Sequence, residues 1–197
     1  MNVSAPWPAD ILERMARAVN EVQLRLHRAA QALEAAKVPY AVIGGNAVAA
    51  WVAKIDEGSV RNTRDVDILI RRDDLEAAKA AMDVIGFEYA FTSGVHLFFE
   101  RPDGKPSEGV HLLFAGEKVR PTDPVPCPEM SESVRGAAFQ VLTLEALVRM
   151  KLVAFRRKDQ VHLQDMIRLG LLDATWPEKY PDVLAERLRE ILADPDG

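Results

Sequence analysis

The sequence predicts an α/β fold, a small mixed sheet flanked by helices and followed by a helical C-terminal lobe. Three observations point there. Short β-like runs at Tyr40–Ile43 and Val66–Ile70 alternate with stretches whose apolar residues recur every three or four positions. Three more β-like pieces crowd between Phe87 and Phe114, and beyond a proline-dense segment the pattern turns helical. With 197 residues, 48% hydrophobic and 28% charged, the chain can bury one good core plus a small appended lobe.

After Ala5-Pro6-Trp7-Pro8, the residues from Ala9 to Ala36 carry an apolar stripe of Ile11, Met15, Val19, Val22, Leu26, Ala30 and Leu33, the mark of an amphipathic helix. Tyr40–Ile43 is a strand stopped by Gly44-Gly45, and Asn46 is the expected N-cap of a helix over Ala47–Ala53. A loop over Asp56–Thr63 leads into the next strand, where Val66, Ile68 and Ile70 share one face and Asp65 and Asp67 the other. A helix over Arg72–Gly86 ends at a glycine, and three strands follow at Phe87–Thr92, Val95–Arg101 and Val110–Phe114, the last two joined by a Pro102-Asp103-Gly104 turn. Pro121, Pro124, Pro126 and Pro128 forbid regular structure between Arg120 and Pro128. That segment divides an α/β core with its N-terminal helix, residues 1–119, from a linker and helical lobe, residues 120–197. In the lobe, Thr143 caps a helix expected to reach about Arg157, with further helices over Asp159–Leu169 and Val183–Leu192.

A net charge of −5 argues against a protein that coats nucleic acid non-specifically, leaving Arg71-Arg72 and Arg156-Arg157-Lys158 as local basic clusters. Cys127 is the single cysteine and excludes an intramolecular disulfide; with no neighbouring His or Lys in sequence it is no candidate nucleophile. Neither a signal peptide nor an apolar run of spanning length is present, so a cytoplasmic protein without membrane association is expected.

Chemistry concentrates in two places. Asp65 and Asp67, one residue apart on a strand, present two carboxylates to one face, an oxygen-only donor set suited to Mg2+ or Mn2+. A D-x-D pair is equally at home on a solvated strand edge, but the apolar opposite face pins this one against the core. Gly44-Gly45 forms a strand-to-helix turn whose bare backbone N–H groups can receive phosphate at a helix N-terminus, although a tight helix start explains a glycine pair as well. Arg61 and Arg64 can reach phosphates or pair with Asp65 and Asp67. His162 and Asp165 share a helical face, as part of an acceptor site or of a surface polar network, and His96 alternates with apolar neighbours as a structural residue does.

Ile43-Gly44-Gly45-Asn46 followed by Arg61-Asn62-Thr63-Arg64-Asp65-Val66-Asp67-Ile68 resembles the signature of the DNA polymerase β-type nucleotidyltransferase superfamily, in particular its AbiEii-like bacterial branch. The gap between the glycines and Asp65 is longer than in minimal members. Leu144–Leu147, Lys151–Ala154 and Arg157-Lys158-Asp159 through Asp165 are similar to that branch's lysine and distal aspartate motifs. The resemblance implies metal-assisted transfer of a nucleoside monophosphate from an NTP to a hydroxyl, the acceptor in similar toxin-type proteins being RNA, often tRNA, with an antitoxin as partner. It implies Asp65, Asp67, His111 and Lys151 as catalytic residues, Asp65 and Asp67 as metal ligands, and Gly44, Gly45, Asn46, Arg61, Thr63, Arg64, Lys151 and Asp165 around the nucleotide. Lys151 also fits a lysine snorkelling from an amphipathic helix. The family's third carboxylate falls at His111, a departure with three readings: a nitrogen ligand or general base, replacement by nearby Glu108, or a catalytically impaired protein that binds nucleotide or a partner. Protein AMPylation by the same chemistry is a further alternative.

Overall fold

The computed structural model describes residues 10–102, 104–105 and 108–194. The Ala5–Pro8 start, Ala9 and the Asp103 position of the expected turn lie outside them. The described residues form six α-helices and seven strands: α1 Ile11–Ala35, β1 Tyr40–Ile43, α2 Gly44–Ala53, β2 Val66–Ile70, α3 Leu75–Val84, β3 Phe87–Thr92, β4 Val95–Glu100, β5 Val110–Phe114, β6 Ser133–Arg135, β7 Gln140–Leu142, α4 Leu144–Ala154, α5 Arg157–Arg168 and α6 Asp182–Ala193. The strands form one mixed sheet in the order β3-β4-β5-β2-β1-β7-β6, so the α/β class is as expected. Parallel pairs are β1/β7 and β2/β5; β1/β2, β3/β4, β4/β5 and β6/β7 run antiparallel.

Both faces of the sheet are covered, and strand alternation decides what covers them. Val42, Ile68, Ile70, Val110 and Leu112 pack against Leu26, Ala30 and Leu33 of α1 and Ala78 and Met82 of α3. Ala41, Ile43, Leu69 and Val141 face the opposite way, against Ala47 and Val48 of α2, Leu147 and Leu152 of α4, Leu163 and Met166 of α5 and Leu188 of α6. Asp67 and His111 share that second face but lie where the helical cover opens.

Several local expectations are corrected. Asn46 is not the N-cap of α2; Ile43 holds that position, and Asn46, inside the helix, donates from Nδ2 to the Asp65 carbonyl at 2.8 Å. The hairpin of β6 and β7 was not foreseen; its three-residue strands are too short for alternation to register, and it extends the sheet beyond β1 after the proline-rich segment. The helix expected to reach Arg157 stops at Ala154, because Phe155 turns left-handed (φ 45°) and its N–H returns to the Lys151 carbonyl at 2.9 Å. α5 therefore begins at Arg157, two residues before its expected start, with the Asp159 carboxylate accepting from the Arg156 N–H at 3.3 Å.

Candidate active site

A cleft of about 360 Å³ opens where β1 ends and β2 and β5 begin, beneath α4 and the start of α5. Gly44, Asp65, Asp67, His111, Lys151, Arg156, Lys158 and Asp159 all line it. Sheet register explains the convergence: Asp67 pairs with Ile43 on one side, which delivers Gly44, and with His111 on the other. Residues far apart in sequence thus meet along one line across three strands.

The glycine turn lies directly against the Asp67 carboxylate. Gly44 has φ +67°, and a Cβ built on it would sit 2.1 Å from Asp67 Oδ2; one built on Gly45 would sit 2.8 Å from the Thr63 side chain. Thr63 in turn accepts the Asp65 N–H at 3.4 Å, so Thr63 and Asn46 together fix the backbone of Asp65 against α2. The first N–H groups of α2 and the Asp67 carboxylate consequently border the same space.

Each acid has its own basic neighbour. Lys158 Nζ lies 3.6 Å from Asp65 Oδ2, and His111 Nδ1 lies 3.4 Å from Asp67 Oδ1, the long end of hydrogen-bonding range. The bond to Asp67 raises the His111 pKa, partial burial opposes the rise, and the charges of Asp67 and Asp65 add to it. Behind them, Asp159 is 1% exposed and accepts from Lys151 Nζ at 3.0 Å and Arg156 Nε at 2.7 Å. Burial alone would raise the Asp159 pKa, but these two cations hold it below the usual carboxylate range.

Lys151, 5% exposed, reaches the cleft wall already committed to Asp159. Arg61 and Asp165 pair with each other, through Nη2 to Oδ1 at 3.1 Å among other contacts, and neither lines the cleft. Arg64 is exposed and also outside it. The partners of Asp65 and Asp67 are therefore Lys158 and His111, not the two arginines. His162 sits behind Lys151 with its Nδ1 buried and without a hydrogen-bond partner, and burial pushes its pKa down to about 4. His96 bonds the Tyr89 hydroxyl at 2.6 Å, a structural role as expected.

Sequence reasoning missed the far wall of the cleft. Arg120, Asp123, Val125, Pro126 and Cys127 come from the proline-rich segment, and Val119 from just before it. It is closed on itself by the Gly116 N–H to Cys127 carbonyl (3.2 Å) and Cys127 N–H to Glu117 carbonyl (2.8 Å) bonds. The prolines that forbid regular structure here make a shaped wall. Burial pushes the Cys127 thiol up to about 11, in keeping with a protonated wall residue rather than a nucleophile.

Among the described residues no group of three or more His, Cys, Asp or Glu is arranged to hold a metal ion. Two carboxylates nevertheless fit Mg2+ or Mn2+, since such a cation commonly takes one or two carboxylates and fills its remaining positions with water and substrate phosphate. The described residues include no helix long and apolar enough to cross a membrane.

A glycine turn at the N-terminus of α2 thus stands beside one carboxylate on β2, Asp67, and one just before it, Asp65. Residues 3–150 match the model of a family described as uncharacterised nucleotidyltransferase, and the chain belongs to that family. Three solved structures share the fold. A nucleotidyltransferase-like antigenic protein from Paracoccidioides brasiliensis is 20% identical with a TM-score of 0.58, the alignment covering 90% of each chain. ANT(2″)-Ia in complex with adenylyl-2″-tobramycin is 16% identical with a TM-score of 0.53, over 87% of this chain and 98% of that one. JHP933 from Helicobacter pylori is 17% identical with a TM-score of 0.51, over 91% and 76%. No curated protein matches the chain significantly.

Proposed function

We propose that Asp65 and Asp67 hold a divalent cation, Mg2+ or Mn2+, against an NTP in this cleft, and that the nucleoside monophosphate is passed to a hydroxyl acceptor. The observation that carries this reading is the approach of Gly44 to Asp67: the missing side chain lets the carboxylate lie against the start of α2, so that helix N–H groups and a cation ligand border one cleft. A bound cation would neutralise charge on the triphosphate. Gly44, at the cleft, orients its phosphates through the backbone N–H groups of the turn, with Gly45 beside it against Thr63, and Arg156 and Lys158 add positive charge at the rim. Lys151, with Asp159, keeps Arg156 in place from behind.

The acceptor oxygen bonds to the α-phosphorus, the bond to the β-phosphate oxygen breaks and pyrophosphate leaves, while the hydroxyl proton passes to a base. His111 fits that role: a neutral imidazole whose Nδ1–H faces Asp67 keeps a lone pair on Nε2, and the Asp67 carboxylate strengthens it as a base. The resemblance of Leu144–Leu147 and Arg157–Asp165 to the AbiEii-like branch favours an RNA hydroxyl, tRNA included, and a toxin-like role with an antitoxin partner. A small hydroxylated molecule is the alternative, since ANT(2″)-Ia is in complex with an adenylylated tobramycin. One observation favours a second reading, a nucleotide-binding protein with impaired catalysis: His111 stands against Asp67 where the family has an acid.

The experiment is incubation of purified protein with each α-labelled NTP, Mg2+ or Mn2+ and total RNA, alongside Asp65→Ala/Asp67→Ala. Label on RNA that needs both aspartates is the expected result. Label on polypeptide would mean AMPylation. NTP binding without transfer to RNA, small hydroxylated molecules or protein would establish the impaired reading.

A further inference from the structure

Lys158 is a cleft cation whose ion-pair partner is itself one of the proposed cation ligands. Its ammonium lies 3.6 Å from Asp65 Oδ2. Lys151 and Arg156, by contrast, are both engaged by Asp159. The Lys158 side chain is 57% exposed and springs from the first turn of α5, just past the left-handed Phe155, so its four-carbon stem is free to swing across the cleft mouth.

We propose that Lys158 is an exchangeable counter-ion: it competes with the divalent cation for Asp65, and moves onto the triphosphate when cation and nucleotide enter together. This rests on the assignment of Asp65 and Asp67 as cation ligands. The physical basis is electrostatic. A carboxylate oxygen facing an ammonium is a poorer ligand for a second cation, so cation alone binds against Lys158. A triphosphate gives the ammonium a stronger partner than one carboxylate and frees Asp65. Cation and nucleotide then bind with positive coupling, and by reciprocity each tightens the other by the same factor. A lysine serving only the phosphate would assist nucleotide and leave the cation untouched; a structural lysine would move both in the same direction.

The test uses the full chain and Mn2+ as probe. Binding is followed by the electron paramagnetic resonance signal of the free ion, with and without the α,β-methylene analogue of each NTP, in wild type, Lys158→Met, Lys158→Gln and Lys158→Arg. The exposed position makes folded variants the expectation, checked by circular dichroism. Without nucleotide, the two neutral variants are expected to bind Mn2+ about two- to five-fold tighter, the range for losing one exposed competing ion pair. They should bind the analogue about tenfold more weakly, as for loss of a hydrogen bond to a charged group. The coupling factor between the two ligands should shrink, and Lys158→Arg should stay near wild type. Unchanged or weaker Mn2+ binding in both neutral variants, while Asp65→Ala/Asp67→Ala abolishes binding in the wild-type background, overturns the role of Lys158 and leaves the cation site standing. No Mn2+ binding by wild type even with analogue overturns both.

Discussion

Gly44→Ala and Gly86→Ala form a matched pair. Both glycines have positive φ, +67° and +87°, so alanine at either costs the left-handed strain of about 1–2 kcal/mol. They differ in what the new methyl group meets. At Gly86, past the end of α3, nothing lies within 4 Å, whereas at Gly44 the Cβ falls 2.1 Å from Asp67 Oδ2 and 2.9 Å from its Cγ. The carboxylate must retreat by about 1 Å or more to restore an ordinary contact. If it is held in place, overpacking adds roughly 1–3 kcal/mol and lowers the urea midpoint by roughly 1 M relative to Gly86→Ala. If Asp67, with a 30% exposed side chain, swings instead, stability suffers less but the ligand is displaced. Either path weakens cation binding, by about 10- to 100-fold if displacement of a ligand resembles loss of its supporting shell. The assay is therefore Mn2+ and NTP-analogue affinity in both variants, with urea unfolding alongside. Gly44→Ala binding both ligands within about twofold of Gly86→Ala would refute the claim that this close approach builds the site.

The buried pair of Lys151 and Asp159, 5% and 1% exposed, gives a second prediction: Asp159→Asn strands a buried ammonium and costs about 3–5 kcal/mol by urea unfolding, and Lys151→Met added to it recovers a large part. The Arg61–Asp165 pair is different, because Arg61 is 55% exposed and outside the cleft; Arg61→Ala should cost at most about 1 kcal/mol and change NTP affinity by less than about twofold in equilibrium binding. For pH, His162 is neutral in the fold with its pKa depressed to about 4, while the unfolded chain takes up a proton below about 6.5. The stability it contributes is fully present above pH 6.5 and lost as pH falls from there toward 4. Its ring is partly open to solvent, so the loss stays below about 3 kcal/mol. His162→Leu, which also removes the unpartnered Nδ1, should flatten the fall in thermal midpoint between pH 7 and pH 5.

What was legible in the sequence follows from how far each signal reaches along the chain. The alternation of Val66, Ile68 and Ile70 against Asp67 is local and was legible, whereas the strand expected to include Asp65 begins at Val66, and Asp65 is instead held by its backbone bonds to Asn46 and Thr63. The glycine turn was legible for the same reason. Its contact with Asp67 was not, because that depends on the antiparallel register of Ile43 with Asp67, which no local pattern encodes. Asn46 shows the limit well: by propensity it is a helix cap, yet its amide is spent on the Asp65 carbonyl, a tertiary bond that outweighs the local preference. The proline-rich segment was legible as irregular but not as a wall, since exclusion of helix and strand says nothing about what a loop covers. Lys151 is more informative, since it lines the cleft but is bonded to Asp159. Its helical position aimed it at the cleft, but only the Phe155 turn, a left-handed residue that is not glycine, folds α5 back so that Asp159 claims its charge. The same turn carries Lys158 over Asp65. A single unusual backbone angle thus decides which lysine is locked and which is left to exchange, and substituting Phe155 by Gly, which keeps the angle, should preserve nucleotide affinity better than substituting it by Val, which opposes it.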